Sequence, residues 1–407
     1  MDALDWHSER ESAAAGDFFM KRSRLAGAIG PEPVSLRRPR VFLAMFRTAS
    51  SQTLTRVAIA VGFAWVVPAI LCLARGDRTI LSYLTDYASM TRFLIVIPVQ
   101  ILAEPQLRAR LSLVVEHFEQ FFVPRDQVSN FQAQWTASEK LRDSKLAQGL
   151  LALLTYGTAA FLGQYLSPEG HEFVSWWRGG GGFRVFSPAG TWALFVSYPI
   201  LVFLIYLWLR RQLLWVRFMW ATTRYNLRLV AAHPDNLGGL GLLEASLRGQ
   251  LPFSFCMGVG LAGAVANRMF HEGQKLIAFR HLPVILIAAV LLVCVAPYFV
   301  FTSTLMRMRR RGMLRYGAFA RAVGEQFEEK WLDRADSVDQ DVLTVPDFST
   351  TADLYGVVSN INDIRVIPVG AVDLYALIGI ALAPGIPVII GAIPFDTVME
   401  DAMKLLF

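Results

Sequence analysis

Continuous apolar blocks, rather than alternating ones, recur along this chain at about 57–73, 147–166, 191–209, 251–269, 282–304 and 366–393. A shorter block, RFLIVIPVQIL, runs from Arg92 to Leu102. About twenty residues of helix cross the roughly 30 Å of bilayer hydrocarbon. Inside lipid every backbone N–H and C=O must be satisfied within the protein, which leaves helices or closed barrels. Unbroken apolar runs select helices. Hydrophobic residues make up 54% of the chain and charged residues only 18%, where a soluble domain carries about 25%. The fold class expected is therefore all-α: a polytopic helical membrane protein with about 6–7 transmembrane helices plus cytoplasmic amphipathic helices.

The net charge is +6, but the basic residues cluster beside the apolar blocks instead of forming aromatic-interleaved stripes. That is the positive-inside pattern, and no nucleic-acid partner is expected. With the N-terminus inside, segments 1–56, 105–146, 210–251 and 304–367 hold nine, six, six and nine of the 39 Lys and Arg. The opening MDALDWHSERESAAAG is acidic and polar, so the first span is expected to serve as the insertion signal.

Four regions follow. Residues 1–54 read as a cytoplasmic, largely disordered tail. Residues 55–305 hold spans one to six, with cytoplasmic helical segments at 105–146 and 210–250. Residues 306–365 form a cytoplasmic helical arm and an acidic linker. Residues 366–407 comprise a Pro/Gly-broken final span, read as one crossing with a re-entrant hairpin as the alternative, and a C-terminal amphipathic helix. On the arm, Phe319, Val323, Phe327 and Trp331 share one helical face and are expected to pack on 107–145. In the fifth span Gly260, Ala264 and Arg268 share a face, and the small pair predicts a close helix contact.

Ionisable residues in or near spans are costly in lipid and mark functional sites. Asp373, Glu104, Arg92 and Asp86 are the candidates for an ion or solute path; interfacial solvation is the plainer reading of Arg92, Asp86 and Glu104, and Asp373 is the foremost functional candidate of the four. His171, His271 and His281, with Glu172 and Glu272, fall in expected outer loops as weak metal candidates. Their order does not match a zincin, and ordinary loop residues are the simpler account. No metal or other cofactor is expected. The cysteines Cys72, Cys256 and Cys294 lie inside apolar blocks without ligand spacing. There is no nucleophile elbow, P-loop, dinucleotide fingerprint or catalytic carboxylate pair, so no catalytic residue is assigned.

The sharpest local string is HPDNLGGLG, with His233, Asp235, Asn236, Gly238 and Gly239, following a basic helix. His-Pro-Asp after such a helix resembles the J-domain cochaperones, but the soluble helices of that domain are missing. The plain reading is a turn that re-aims the chain, with Asp235 or Asn236 capping a helix. Together with RFLIVIPVQILAEP and the proline-rich apolar end after FEEKW, the string resembles a family of uncharacterised bacterial polytopic inner-membrane proteins carrying H-P-D-x-x-G-G-L-G. The resemblance covers about Arg47 to the C-terminus. It implies a bacterial inner-membrane location and brings no activity or site residues with it.

Three functions compete: a channel or transporter for an ion or small solute, a membrane-anchored sensor or scaffold working through its cytoplasmic helices, and a membrane enzyme on a lipid-linked substrate. The expected partner is the lipid bilayer, with a second copy of the chain and a cytoplasmic protein as further candidates.

Overall fold

The computed structural model describes residues 50–165, 176–177, 186–332 and 347–392. The regular structure there is helical. In chain order the main helices are α1 (Ser51–Leu73), α2 (Tyr87–Phe122), α3 (Val128–Asp143), α4 (Lys145–Tyr165), α5 (Pro188–Thr222), α6 (Leu240–Glu272, with a turn at Gly249 and Gln250), α7 (Leu276–Trp331), α8 (Asp347–Asn362) and α9 (Ala371–Ala392). Among the described residues α1, α2, α5, α6, α7 and α9 are six helices long and apolar enough to cross a membrane. The chain is a multi-pass helical membrane protein. Helix α4, 21 residues long, occupies the place of the third apolar block. Ile59, Ile70, Leu150, Leu153 and Ile390 are each more than half exposed on the outside of the bundle. In water they would form a broad apolar patch of the kind soluble monomers avoid; against lipid tails they are at no disadvantage.

Helix α6 is the centre of the bundle. Its apolar window is 61% buried, against 11–39% for the other five. Small residues make this possible. A Cβ on Gly258 would collide with the Ala381 carbonyl of α9, and one on Gly263 with the Thr91 hydroxyl of α2. Five residues correspond to about 140° around a helix, so the two glycines grip neighbours on different faces. The expected Gly260 and Ala264 contact is displaced: a Cβ on Gly260 would meet nothing within 4 Å. Small residues occur on several faces of α6, and periodicity does not say which of them a neighbour meets.

The π-helical turns follow a rule that not every proline shares, since Pro105 stands inside α2 without one. Among the described residues there are five π-helical turns, Gly62–Val66, Arg92–Val96, Phe118–Phe122, Ala193–Ser197 and Leu291–Val295. Each ends two residues before a proline: Pro68, Pro98, Pro124, Pro199 and Pro297. In each case the residue before the proline donates its N–H five residues back, as Ile97 does to Arg92. Proline lacks an N–H and its ring clashes with the carbonyl four residues earlier; widening the preceding turn relieves the clash. Two carbonyls per unit lose their α-helical donors, and side chains take some of them. The Trp192 indole donates to Phe63 O (2.8 Å), and the Gln212 amide donates to Val293 O (3.1 Å).

The arm of α7 differs from expectation. Phe327 and Trp331 pack on Phe348 of α8, at ring-centroid distances of 4.8 and 5.5 Å, rather than on 107–145. Phe319 is exposed. The nearer helix in sequence wins the contact. Within 107–145, Phe131 of α3 is fully buried beside Phe218 and Tyr225. Helix α9 runs on through a 3-10 turn at Ala383–Gly385. The tail before residue 50, the acidic stretch 333–346 and the final segment 393–407 lie outside the described residues.

Candidate functional site

The HPDNLGGLG loop leads from the irregular segment after α5 into the start of α6. Asn236, Gly238 and Gly239 all have positive φ (53°, 66° and 99°), a backbone conformation that glycine reaches without strain. This folds the chain around one carboxylate. Asp235 Oδ1 accepts the N–H groups of Leu237 (2.9 Å) and Gly239 (3.0 Å), and Oδ2 accepts that of Gly241 (2.9 Å). His233 Nδ1 lies 2.8 Å from Asp235 Oδ1. Burial pushes the Asp235 carboxyl up, but the three amide donors and His233 outweigh it and hold the group below the usual carboxylate range. Arg365 closes the knot from outside. Its guanidinium donates to Glu244 (3.0 Å) and to the Asp235 carbonyl (3.3 Å), and its N–H donates to the Asn236 carbonyl (2.9 Å). Leu237 and Leu240 are fully buried beneath. Asp235 is thus committed to structure, while His233 remains about half exposed, at 45%.

The four ionisable candidates do not converge. Asp86 caps the start of α2 and accepts from Ser89 N (3.1 Å), Ser89 Oγ (2.7 Å), the Trp176 indole (3.2 Å) and Asn267 of α6 (2.7 Å). It ties α2, α6 and the Trp176 loop together. Arg92 donates to the Tyr198 hydroxyl (3.3 Å). Glu104, eighteen residues after Asp86 and so about 27 Å along the helix, is ion-paired with Arg211 of α5. Asp373 sits in the first turn of α9, 4% exposed, and pairs with Arg248 at 2.8 Å.

No family model, curated protein or solved structure matches this chain. The site therefore rests on its own geometry.

Of the histidines named as metal candidates, His171 lies outside the described residues. His271 is bound to the Thr85 carbonyl at 2.7 Å and stacks on Tyr87, and His281 is exposed. Among the described residues no group of three or more His, Cys, Asp or Glu is placed to hold a metal ion.

Sequence reasoning passed over a polar belt inside the bundle. Gln250 donates to Gln212 (2.9 Å), which donates to Val293 O. The Ser246 and Tyr298 hydroxyls lie 2.7 Å apart, and Ser254 donates to the Leu377 carbonyl (2.8 Å). A small cavity of about 30 Å3 lies between α2, α5 and α6, bordered by Gln100, Glu104, Arg211, Trp208 and Phe253. Both amide atoms of Gln100 and the Oε1 of Gln250 are buried without a hydrogen-bond partner. Glutamines in or beside apolar blocks were the available signal. The partners Arg211 and Arg248 were counted only as inside charges.

Proposed function

We propose that this multi-pass membrane protein is a channel or transporter for an ion or small polar solute. The reading is carried by Gln100, whose amide is buried in the bundle with neither atom paired. An unsatisfied buried polar group costs about 1–3 kcal/mol, and the adjoining cavity has room for about one water. A path that water or solute visits would offset that cost. The Glu104–Arg211 pair and the Gln212–Gln250 bond supply further exchangeable polar groups beside it, and the proline-hinged spans supply places to bend. In this reading Asp373, neutralised by Arg248, stands at one end of the path rather than at its middle.

Purified protein in liposomes is expected to pass at least one member of a panel of inorganic ions and small polar solutes, with and without a pH gradient. Gln100→Leu is expected to lower that flux at least about tenfold while leaving the melting temperature equal or higher, because it removes an unpaired buried amide. Wild-type liposomes no leakier than empty ones would favour the scaffold reading instead. The exposed Leu314 and Phe319 on the α7 arm support that alternative as a protein-facing surface.

We also propose a bacterial inner-membrane location with the N-terminus in the cytoplasm, on the strength of the Lys and Arg bias. The three native cysteines are buried, so exposed positions can report alone. Lys275→Cys is expected to react with an impermeant thiol reagent in intact cells. Ala137→Cys and Ala318→Cys are expected to react only after permeabilisation. The reverse pattern would invert the topology.

A further inference from the structure

Beyond Thr222, where α5 ends, residues 223–231 run beside the part of α7 that follows Thr304. Together they enclose an open cavity of about 860 Å3. Arg224, Arg307, Arg311 and Arg315 line it, and among the described residues no acidic side chain does. The last three recur every fourth residue, so they share one face of α7 and span about 12 Å along it. Arg224 lies over the Trp220 ring at 4.2 Å, and Arg307 leans on the Thr304 hydroxyl at 3.4 Å. Among the described residues none of the four makes an ion pair, whereas Arg211, Arg248 and Arg365 are each matched to a carboxylate.

One unpaired surface arginine is ordinary. Four around a single concavity focus a positive potential that concentrates anions. The guanidinium fork matches phosphate oxygens two at a time. The position adds a second constraint through α7, whose apolar block ends at Thr304 on the cavity wall, near the depth where headgroups begin; α5 leaves its own apolar block at Leu209, about 20 Å earlier along its axis. The third is that Leu229, Val230 and Met308 line the same cavity as the arginines. A bare inorganic ion gains nothing from those side chains; the glycerol and upper acyl region of a lipid does.

We propose that this cavity is a binding site for a phosphate ester anion, with the headgroup of an anionic phospholipid as the source its apolar wall favours. The arginines hold the phosphate, and Leu229, Val230 and Met308 receive the adjoining apolar part. The acidic stretch 333–346 of the chain itself is the competing occupant.

The test uses the full-length protein in a neutral detergent. Binding is followed by thermal shift and native mass spectrometry against phosphatidylglycerol, phosphatidylcholine and inorganic pyrophosphate. Phosphatidylglycerol is expected to bind more tightly than phosphatidylcholine. Arg311→Gln and Arg315→Gln, both at exposed positions that leave the fold intact, are each expected to weaken it about tenfold. Arg321→Gln, on the same helix but outside the cavity, is expected to leave binding unchanged and controls for net charge. Pyrophosphate binding that the two variants lose would support the site with a soluble source. Wild type that binds neither anion, or variants that bind like wild type, would overturn the proposal.

Discussion

Gly258→Leu is expected to prevent recovery of folded protein, or to lower its melting temperature more than any surface substitution in the bundle. The added side chain meets the Ala381 carbonyl of α9, and a backbone atom cannot rotate aside as a side chain can. Overpacking a tight core typically costs about 1–3 kcal/mol; a collision with backbone at the central helix should reach or exceed the top of that range. Gly260→Leu is the control, because nothing lies within 4 Å of its Cβ position. Leucine is also the better helix former by about 0.5–1 kcal/mol, so that variant should melt at or above the wild-type temperature. Melting in detergent, followed by size-exclusion recovery, checks both. Equal losses at the two positions would show that α6 does not meet α9 through Gly258.

Asp235→Ala is expected to be the most damaging change outside the spans, because it strands the N–H groups of Leu237, Gly239 and Gly241 together. Hydrogen bonds to a charged group contribute about 1.5–3 kcal/mol each. Even with water reaching some of the amides, a loss of about 3 kcal/mol or more is expected. Asp235→Asn keeps an acceptor oxygen and should cost less. The carboxyl titrates lower in the folded protein than its ordinary value of about 3.9. Its stabilisation is therefore fully present above that value and is lost as pH falls through the lower, folded one. Wild type should lose this part of its stability only below about pH 4. Asp235→Asn should lack that contribution at neutral pH, so the gap between the two narrows on acidification. A gap that stays constant from about pH 6 to pH 3 would mean the carboxylate charge does not hold the loop.

The spanning helices were legible because lipid imposes one requirement, a continuous apolar run, that needs no knowledge of neighbours; α8, which has no such run, fell in the stretch read as an acidic linker. The Pro384 and Gly385 signal was legible for the same reason, being local backbone chemistry, though it makes a 3-10 turn within α9 rather than a break; Asp235 was legible as a turn residue, though it gathers loop amides and Gly239 is the residue at the helix start. What joins distant parts was not. Asp373 was visible as an acid in an apolar block, but Arg248 lies 125 residues away, and Glu104 and Arg211 are 107 apart. No periodicity links such positions. The Phe327 stripe shows the intermediate case: the apolar face was readable from spacing, while its partner Phe348 was not, since any helix with an aromatic in reach could have filled the role. Gln100 shows the opposite limit. A single amide in an apolar block looks unremarkable until the surrounding helices are seen to leave it without a partner.

The coupling of each π-helical turn to a proline two residues on bears on how such a chain can change over generations. A π turn is an α-helix carrying one surplus residue, which turns everything beyond it by about 100°. The proline and the surplus residue are then a single heritable unit. Substituting Pro199 or Pro297 alone would leave the extra residue behind, and the lipid-facing side chains beyond it would keep their rotated phase. Deleting the residue alone would swing that face inward while the ring still clashed. Descendants that lose one of these prolines are therefore expected to lose a neighbouring residue with it, so that length differences among related spans fall at the four such places where a helix continues beyond the turn, Phe118–Phe122 being the end of α2.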